Sequence, residues 1–355
     1  MSIPETMRAV VLHGWNDVRL EDVPVPTPGP GEVLCRIRAC AICGTDARLI
    51  TGGAARTFKG TFPHIFGHEW SGEVAAIPEG VEGVAVGDRV AGEVTKGCRT
   101  CPACKSGRYQ LCEHSGKLEK GYRMHGFNLP GIFAQYVAYL PEMLSPLPDH
   151  VSFEEGALGS VFSQALHGVK IGACQPGETA FVIGPGAIGL LILQTVKRQG
   201  AARVLIAGRG ERLDMARKLG ADIAIDISSD DPATAVLEAT GGQGADVVYE
   251  CAGKQPAIEA AVRSVKKGGR VVLIGVRGQE EGIPFNVDHV VLNQISLLGM
   301  RGSPNLLAGA IALIASGQVN VKQLIAEEFP LERFQDAMDF YARRERGAVR
   351  VILKP

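Results

Sequence analysis

The stretch TAFVIGPGAIGLLILQTVKR, residues 179–198, decides how this chain is read. It opens with an apolar run, 179–183, passes through glycines spaced Gly184-x-Gly186-x-x-Gly189, and continues into a segment of helical character, 190–198. A G-x-G-x-x-G taken alone is a weak signal, but between a buried strand and a helix it is a dinucleotide fingerprint. The glycines let the backbone approach a pyrophosphate. The helix start, at Ala187 and Ile188, offers unpaired N–H groups and the positive end of a dipole. The bland alternative is a glycine turn with a purely structural role.

Downstream of the fingerprint, short apolar runs alternate with helical segments: 204–207, 212–219, 246–249, 256–265 and 270–274. That alternation implies a parallel sheet joined by crossover helices. The second strand ends Ala207-Gly208-Arg209-Gly210-Glu211-Arg212. An acid at that tip would accept from the ribose 2′-hydroxyl and select NAD, whereas Gly208 and Arg209 suit a 2′-phosphate. The local chemistry therefore favours NADP, with NAD the alternative if Glu211 turns to the ribose and the arginines are merely solvated.

Upstream the pattern is different. Alternating segments such as 32–39, separated by Pro and Gly clusters such as 24–31, read as an irregular antiparallel sheet of a barrel-like all-β module. The last segment, with an amphipathic helix at 331–341 and a strand at 349–353, is expected to return to this first domain. At 355 residues the chain exceeds what one core usually serves, so two domains are expected. A net charge of -1 argues against nucleic acid or an anionic membrane surface and leaves a small molecule as the partner. Residues 1–10 lack a secretory pattern and the apolar stretches are too short to span a bilayer, so the expected location is the cytoplasm.

Four of the nine cysteines, Cys98, Cys101, Cys104 and Cys112, crowd into one Gly- and Pro-rich stretch. Four thiolates on a tight loop can close a tetrahedral zinc shell, which has no open position and is structural. The alternative, four reduced surface thiols without metal, would be an oxidation liability. A second set is more chemical. Cys43-Gly44-Thr45-Asp46 and Gly67-His68-Glu69 each follow an apparent buried strand. Cys43, His68 and a nearby carboxylate could hold a zinc with one position free for an alcohol oxygen, and such a metal acidifies the hydroxyl so that hydride can leave its carbon. Thr45 is placed to hand the proton on. Each residue alone is more readily a buried cysteine or a core histidine; it is their company that points to a metal.

The order Cys-Gly-Thr-Asp, Gly-His-Glu, four-cysteine lobe, glycine fingerprint resembles the zinc-containing medium-chain dehydrogenases, and among them the sorbitol and threonine dehydrogenase branch. The resemblance covers nearly the whole chain, including Gly87-Asp88-Arg89-Val90 and Arg350-Val351-Ile352-Leu353. It implies an α/β two-domain architecture: a GroES-like β-barrel catalytic domain over 1–158 and 302–355, with the zinc lobe at 97–113, and a Rossmann doubly wound parallel sheet over 159–301. It also implies interconversion of a secondary alcohol or polyol and its ketone, Arg350 at the cofactor phosphates, and a homodimer or homotetramer joined partly near 292–300.

The chain departs from the family at two places. Ser160 stands where a third anionic zinc ligand is usual, and a serine hydroxyl is a poor substitute. Glu69 could then complete a shell of Cys43, His68, Glu69 and water, or the metal could be lost. Arg48 stands where many relatives carry a proton-relaying histidine, a task a guanidinium cannot perform near neutral pH. It could contact an anionic substrate or a cofactor phosphate, or be a solvated surface arginine. Two further readings stay open: a reductase of enones or iminium ions without catalytic zinc, with Thr45 supplying protons, and a non-catalytic dinucleotide-binding protein.

Overall fold

The run Thr179–Ile183 forms a strand whose Ala180, Phe181 and Val182 have no exposed surface, as a strand covered on both faces requires. The computed structural model describes residues 3–276, 282, 284 and 286–355. Around this strand lies a six-stranded parallel sheet, in spatial order Ile223–Asp226, Arg203–Gly208, Thr179–Ile183, Ala245–Glu250, Val265–Leu273 and Ser296–Gly299. Numbered along the chain, that is the order 3-2-1-4-5-6 of a doubly wound sheet, whose strand order reverses beside the fingerprint. The crossovers include the helices Ala187–Arg198, Glu211–Lys218, Pro232–Ala239 and Gln255–Ser264. Ala187–Arg198 buries every residue from Gly189 to Val196, so it is a core helix rather than a surface one. Pro232–Ala239 starts where Asp231 accepts the N–H of Thr234 with Pro in the first turn, a strong N-terminal signal.

The other unit is mainly antiparallel. Its larger sheet runs Leu144–Pro146, Arg89–Gly92, Glu69–Ala76, Val33–Ala41, Arg350–Lys354 and Ile325–Pro330, with Tyr136–Tyr139 also paired to Val33–Ala41. A smaller sheet joins Asp17–Pro24, Thr6–Gly14 and His64–Ile65. Fully buried Phe66, Trp70, Phe133 and Tyr139 fill the core. The returning C-terminal segment completes it: Ile352 pairs with Ala41 and Leu353 with Cys40. Before that strand, the helix Phe334–Arg343 turns Phe334, Ala337, Met338 and Phe340 inward. It begins three residues later than the periodicity suggests, because Leu331–Arg333 winds as a tighter 3-10 turn.

The two units comprise residues 1–161, 304–317 and 324–355, and residues 162–303 and 318–323. Compared with the expected division at 158/159 and 301/302, the edges move by a few residues and a short segment changes sides. That segment, 318–323, is tied to the parallel-sheet unit by Gln194, whose side chain accepts from Asn320 N at 2.7 Å and donates to Asn320 O at 3.3 Å. Among the described residues no helix is long and apolar enough to cross a membrane.

Candidate metal centres and dinucleotide fingerprint

The mixed Cys, His and Glu site is built at one end of three adjacent strands. Ala41, near the end of Val33–Ala41, pairs with Glu69 on one side and with Ile352 on the other. Cys43 follows at the start of the short helix Gly44–Ile50, and Arg350 opens the C-terminal strand beside it. His68 is delivered by Gly67, which holds φ +88 and has no room for a side chain: a Cβ there would lie 2.8 Å from the Phe133 ring. The result is that ligand atoms of Cys43, His68 and Glu69 fall within 4.8 Å of one another.

Asp46 organises this group and had no role assigned from sequence. It is 1% exposed; one carboxylate oxygen accepts the N–H of Cys43 at 2.7 Å, and the other lies 3.4 Å from His68 Nδ1. Its signal was available, since an acid three residues after a helix-capping position is placed to reach back to the cap. Burial disfavours charge on His68, but Asp46 and then Cys43 outweigh it, and the imidazole pKa stands well above its usual value. A bound dication reverses that preference, because it takes a neutral ring. The ring of Phe127, also unassigned from sequence, lies 5.4 Å from that of His68 and forms an apolar wall.

Arg350, expected at the cofactor phosphates, is 5% exposed and donates from Nε and one terminal nitrogen to the two oxygens of Glu69, each at 3.1 Å. Burial works against its charge while Glu69 favours it, and the net effect is upward. Each Glu69 oxygen still has a second lone pair, so pairing with Arg350 leaves the carboxylate able to serve a metal. Thr45 Oγ1 accepts from Arg48 at 3.3 Å, so Arg48 reaches back along its own helix. Ser160 is buried in the first turn of the helix Gly159–Gly172.

The four-cysteine lobe has the dimensions of a metal shell. Sγ of Cys98 and Cys104 are 3.8 Å apart and those of Cys101 and Cys112 4.0 Å. Sulfurs at about 2.3 Å from a tetrahedral zinc are separated by about 3.8 Å, far beyond a disulfide. Backbone N–H groups of Thr100 and Cys101 point at Cys98 Sγ, at 3.4 and 3.3 Å, and that of His114 at Cys112 Sγ, at 3.4 Å. Donation from the Thr100 hydroxyl, helped by the N–H groups of Cys101 and Thr100, pulls the Cys98 thiol down to about 5. A thiolate in that state is what zinc requires.

At the fingerprint, Gly184 has φ +99, and a Cβ on Gly189 would lie 2.1 Å from Gly184 O. Gly184 is therefore required by its backbone conformation and Gly189 by close packing. Gly186 differs: a Cβ there would meet nothing within 4 Å, so its lack of a side chain leaves open space at the start of the helix Ala187–Arg198. That is the cradle a pyrophosphate needs. Gly208 ends the neighbouring strand against Pro185, where a Cβ would lie 2.2 Å from the ring, and exposed Arg209 follows it. Asp226 ends the next strand, paired with Gly208. Hydrogen bonds from Ser228 lower its carboxyl, with a smaller contribution from Arg209.

Residues 29–149 match the alcohol dehydrogenase GroES-like domain and residues 187–316 the zinc-binding dehydrogenase domain. The chain is 34% identical over 355 residues to sorbitol dehydrogenase of Bacillus subtilis (strain 168), covering 100% of this chain and 99% of that one. It is 32% identical to D-arabitol-phosphate dehydrogenase of Enterococcus avium, covering 94% of each. Its fold is similar to a crystal structure described as a zinc-binding dehydrogenase from Sinorhizobium meliloti 1021 bound to NADP, with a TM-score of 0.90, 30% identity, and 99% and 100% of the two chains covered.

Proposed function

From the premise that this chain belongs to the zinc-binding alcohol dehydrogenases of the medium-chain family, we propose that its substrate is a polyol, oxidised at a secondary hydroxyl, or the matching ketose. The chain is a zinc-dependent oxidoreductase that exchanges a hydride with a nicotinamide cofactor. The observation that carries the polyol reading to particular residues is the convergence of Cys43, His68 and Glu69 beside Thr45. In this reading the three residues hold the catalytic metal and Ser160 is not needed as a ligand. Asp46 holds His68 Nδ1, leaving the other ring nitrogen for the ion.

Bound zinc supplies a Lewis acid that polarises the substrate oxygen. The protein supplies the rest. Thr45 relays the hydroxyl proton, accepting it at Oγ1 while its own O–H proton passes to solvent, and the reverse on reduction; Arg48, donating to Thr45 Oγ1, fixes that hydroxyl but cannot itself carry the proton. Phe127 keeps water from one side of His68. Cys98, Cys101, Cys104 and Cys112 hold the structural zinc. The relatives named above are described as polyol dehydrogenases or as a zinc-binding dehydrogenase, which favours the zinc-dependent reading over enone reduction without zinc. Assay of sorbitol, arabitol and their phosphates with each cofactor, alongside simple secondary alcohols, tests the substrate class; turnover confined to simple alcohols would reject it.

For the cofactor we favour NADP over NAD, with Gly184, Gly186, Ala187, Ile188 and Gly189 at the pyrophosphate and Gly208 and Arg209 at the 2′-phosphate. The support is an exposed arginine directly after the glycine at the strand tip, where an acid would select NAD. Arg209→Ala is expected to weaken NADPH binding by about tenfold or more, since a charge-assisted hydrogen bond contributes roughly 1.5–3 kcal/mol, and to leave NADH binding unchanged. Fluorescence titration with the two cofactors reads this directly, and equal losses for both would point to NAD.

A second copy of the chain is the fitting occupant of the sheet edge. Val287, Val291 and Leu292 are 59%, 68% and 82% exposed on one short helix, next to the edge strand Ser296–Gly299. Apolar groups of that size rarely face water together without a partner. Leu292→Glu combined with Val291→Glu is expected to shift the assembly to monomer in light scattering, and an unchanged mass would place the interface elsewhere.

A further inference from the structure

Glu250 is the last residue of the strand Ala245–Glu250, the fourth of the parallel sheet, and it has no exposed surface. Among the described residues it has no ion-pair partner. Oε1 instead accepts two consecutive backbone N–H groups, those of Ala252 and Gly253, each at 2.7 Å. Burial pushes its carboxyl up, while N–H groups of Gly253, Ala252 and Gly275 draw it back. Keeping an acid in such a place is costly unless its backbone bonds matter.

What they fix is the turn that joins three strand ends. Cys251 N donates to Ile183 O at 2.9 Å, and Ile274 N to Glu250 O at 2.9 Å. A Cβ on the fingerprint Gly184 would lie 3.3 Å from Ala252 N, and one on Gly275 only 2.1 Å from Gly253 N. Gly253 holds φ +64, one of several conformations open to a glycine, and the Glu250 carboxylate, bonded to the N–H groups of Ala252 and Gly253, selects it. In a doubly wound sheet the dinucleotide lies across the carboxyl ends of the strands, one mononucleotide to each half. Gly208 and Arg209 stand on the half that takes the adenosine, so the tips of the fourth and fifth strands take the other.

We infer that Glu250 is a positioning residue for the nicotinamide half of the cofactor, acting through the backbone of 251–253 and without touching the cofactor itself. The inference rests on the reading of this unit as the cofactor domain. A role limited to stability would weaken every ligand alike, whereas this role separates the two halves of the dinucleotide.

The experiment titrates purified wild type, Glu250→Asp and Glu250→Gln with NADPH and with 2′-phospho-ADP-ribose, which lacks the nicotinamide, or with NADH and ADP-ribose if the wild type binds those better. Glu250→Asp retains the charge but is one methylene short; it is expected to bind the full dinucleotide about tenfold more weakly and the fragment within twofold of wild type. Glu250→Gln, which keeps an acceptor oxygen at the same reach, is expected to bind both within threefold. Equal losses of both ligands in Glu250→Asp, or no loss of either, would overturn the inference. A wild type that binds neither probe would instead reject the cofactor-domain reading. If Glu250→Asp does not fold, amide exchange of wild-type residues 251–254 decides: slowing by the dinucleotide but not by the fragment supports the role, and slowing by both or by neither refutes it.

Discussion

Cys43→Ala is expected to contain about one zinc per chain where the wild type contains about two, and to turn over its substrate at least about a thousandfold more slowly. The two sites differ in what one substitution removes. The lobe keeps its four thiolates, preorganised by N–H groups aimed at Cys98 and Cys112, and so retains its ion. Among the described residues the mixed site offers Cys43, His68 and Glu69, and Glu69 already shares both oxygens with Arg350. Deleting Cys43 leaves one neutral imidazole and one partly neutralised carboxylate, too little charge and too few ligands for a tight site. Elemental analysis and steady-state kinetics on one preparation decide the matter. Two zincs retained in the variant, or turnover preserved with one, would place the chemistry elsewhere. Cys104→Ser serves as the contrasting case: it is expected to lose the structural ion and thermal stability together.

In the metal-free protein, Arg350→Met is expected to destabilise its unit by roughly 3–5 kcal/mol, the usual consequence of stripping one partner from a buried ion pair. Arg350 and Glu69 have side chains only 6% and 5% exposed, so solvent cannot stand in for the missing charge. A melting temperature lower by roughly 10 °C follows for a unit of this size. The effect belongs to the orphaned carboxylate rather than to lost packing, so adding Glu69→Gln to Arg350→Met is expected to restore much of the stability while leaving the catalytic metal weakly held. Calorimetry of the single and double variants checks this, and a double variant no more stable than Arg350→Met would show that packing was the larger contribution.

The parallel-sheet unit was largely legible because its information is local. Residues 179–198 contain strand, turn and helix in one run, and glycines in positions forced by contacts such as Gly189 against Gly184 leave a readable spacing. The four-cysteine lobe is local for the same reason. The mixed site was legible in its members and not in its connections. Arg350 was quoted as part of a closing motif, but nothing in the run Arg350-Val351-Ile352-Leu353 indicates that it meets Glu69; that follows from the pairing of strands distant in sequence. Asp46 was visible as a letter of Cys43-Gly44-Thr45-Asp46 without its bonds. Glu250 gave no signal, because an acid closing an apolar strand reads as a surface residue until its burial is known. The moved unit boundary has a similar origin: Gln194 reaches Asn320 across 126 residues, a distance no local pattern encodes.

The same long connection sets an order of events during synthesis. Glu69 and Arg350 are 281 residues apart. At about 5–20 residues per second, Glu69 waits roughly 15 to 60 s for its counter-charge to be made. The four cysteines have emerged long before then and can take up their ion on the growing chain. The mixed site cannot assume its final electrostatics until the last strand docks beside Val33–Ala41. Ribosome-bound chains stalled before residue 350 should therefore carry the structural ion while Glu69 still lacks its counter-charge, so the lobe reaches its final electrostatics well before the mixed site does.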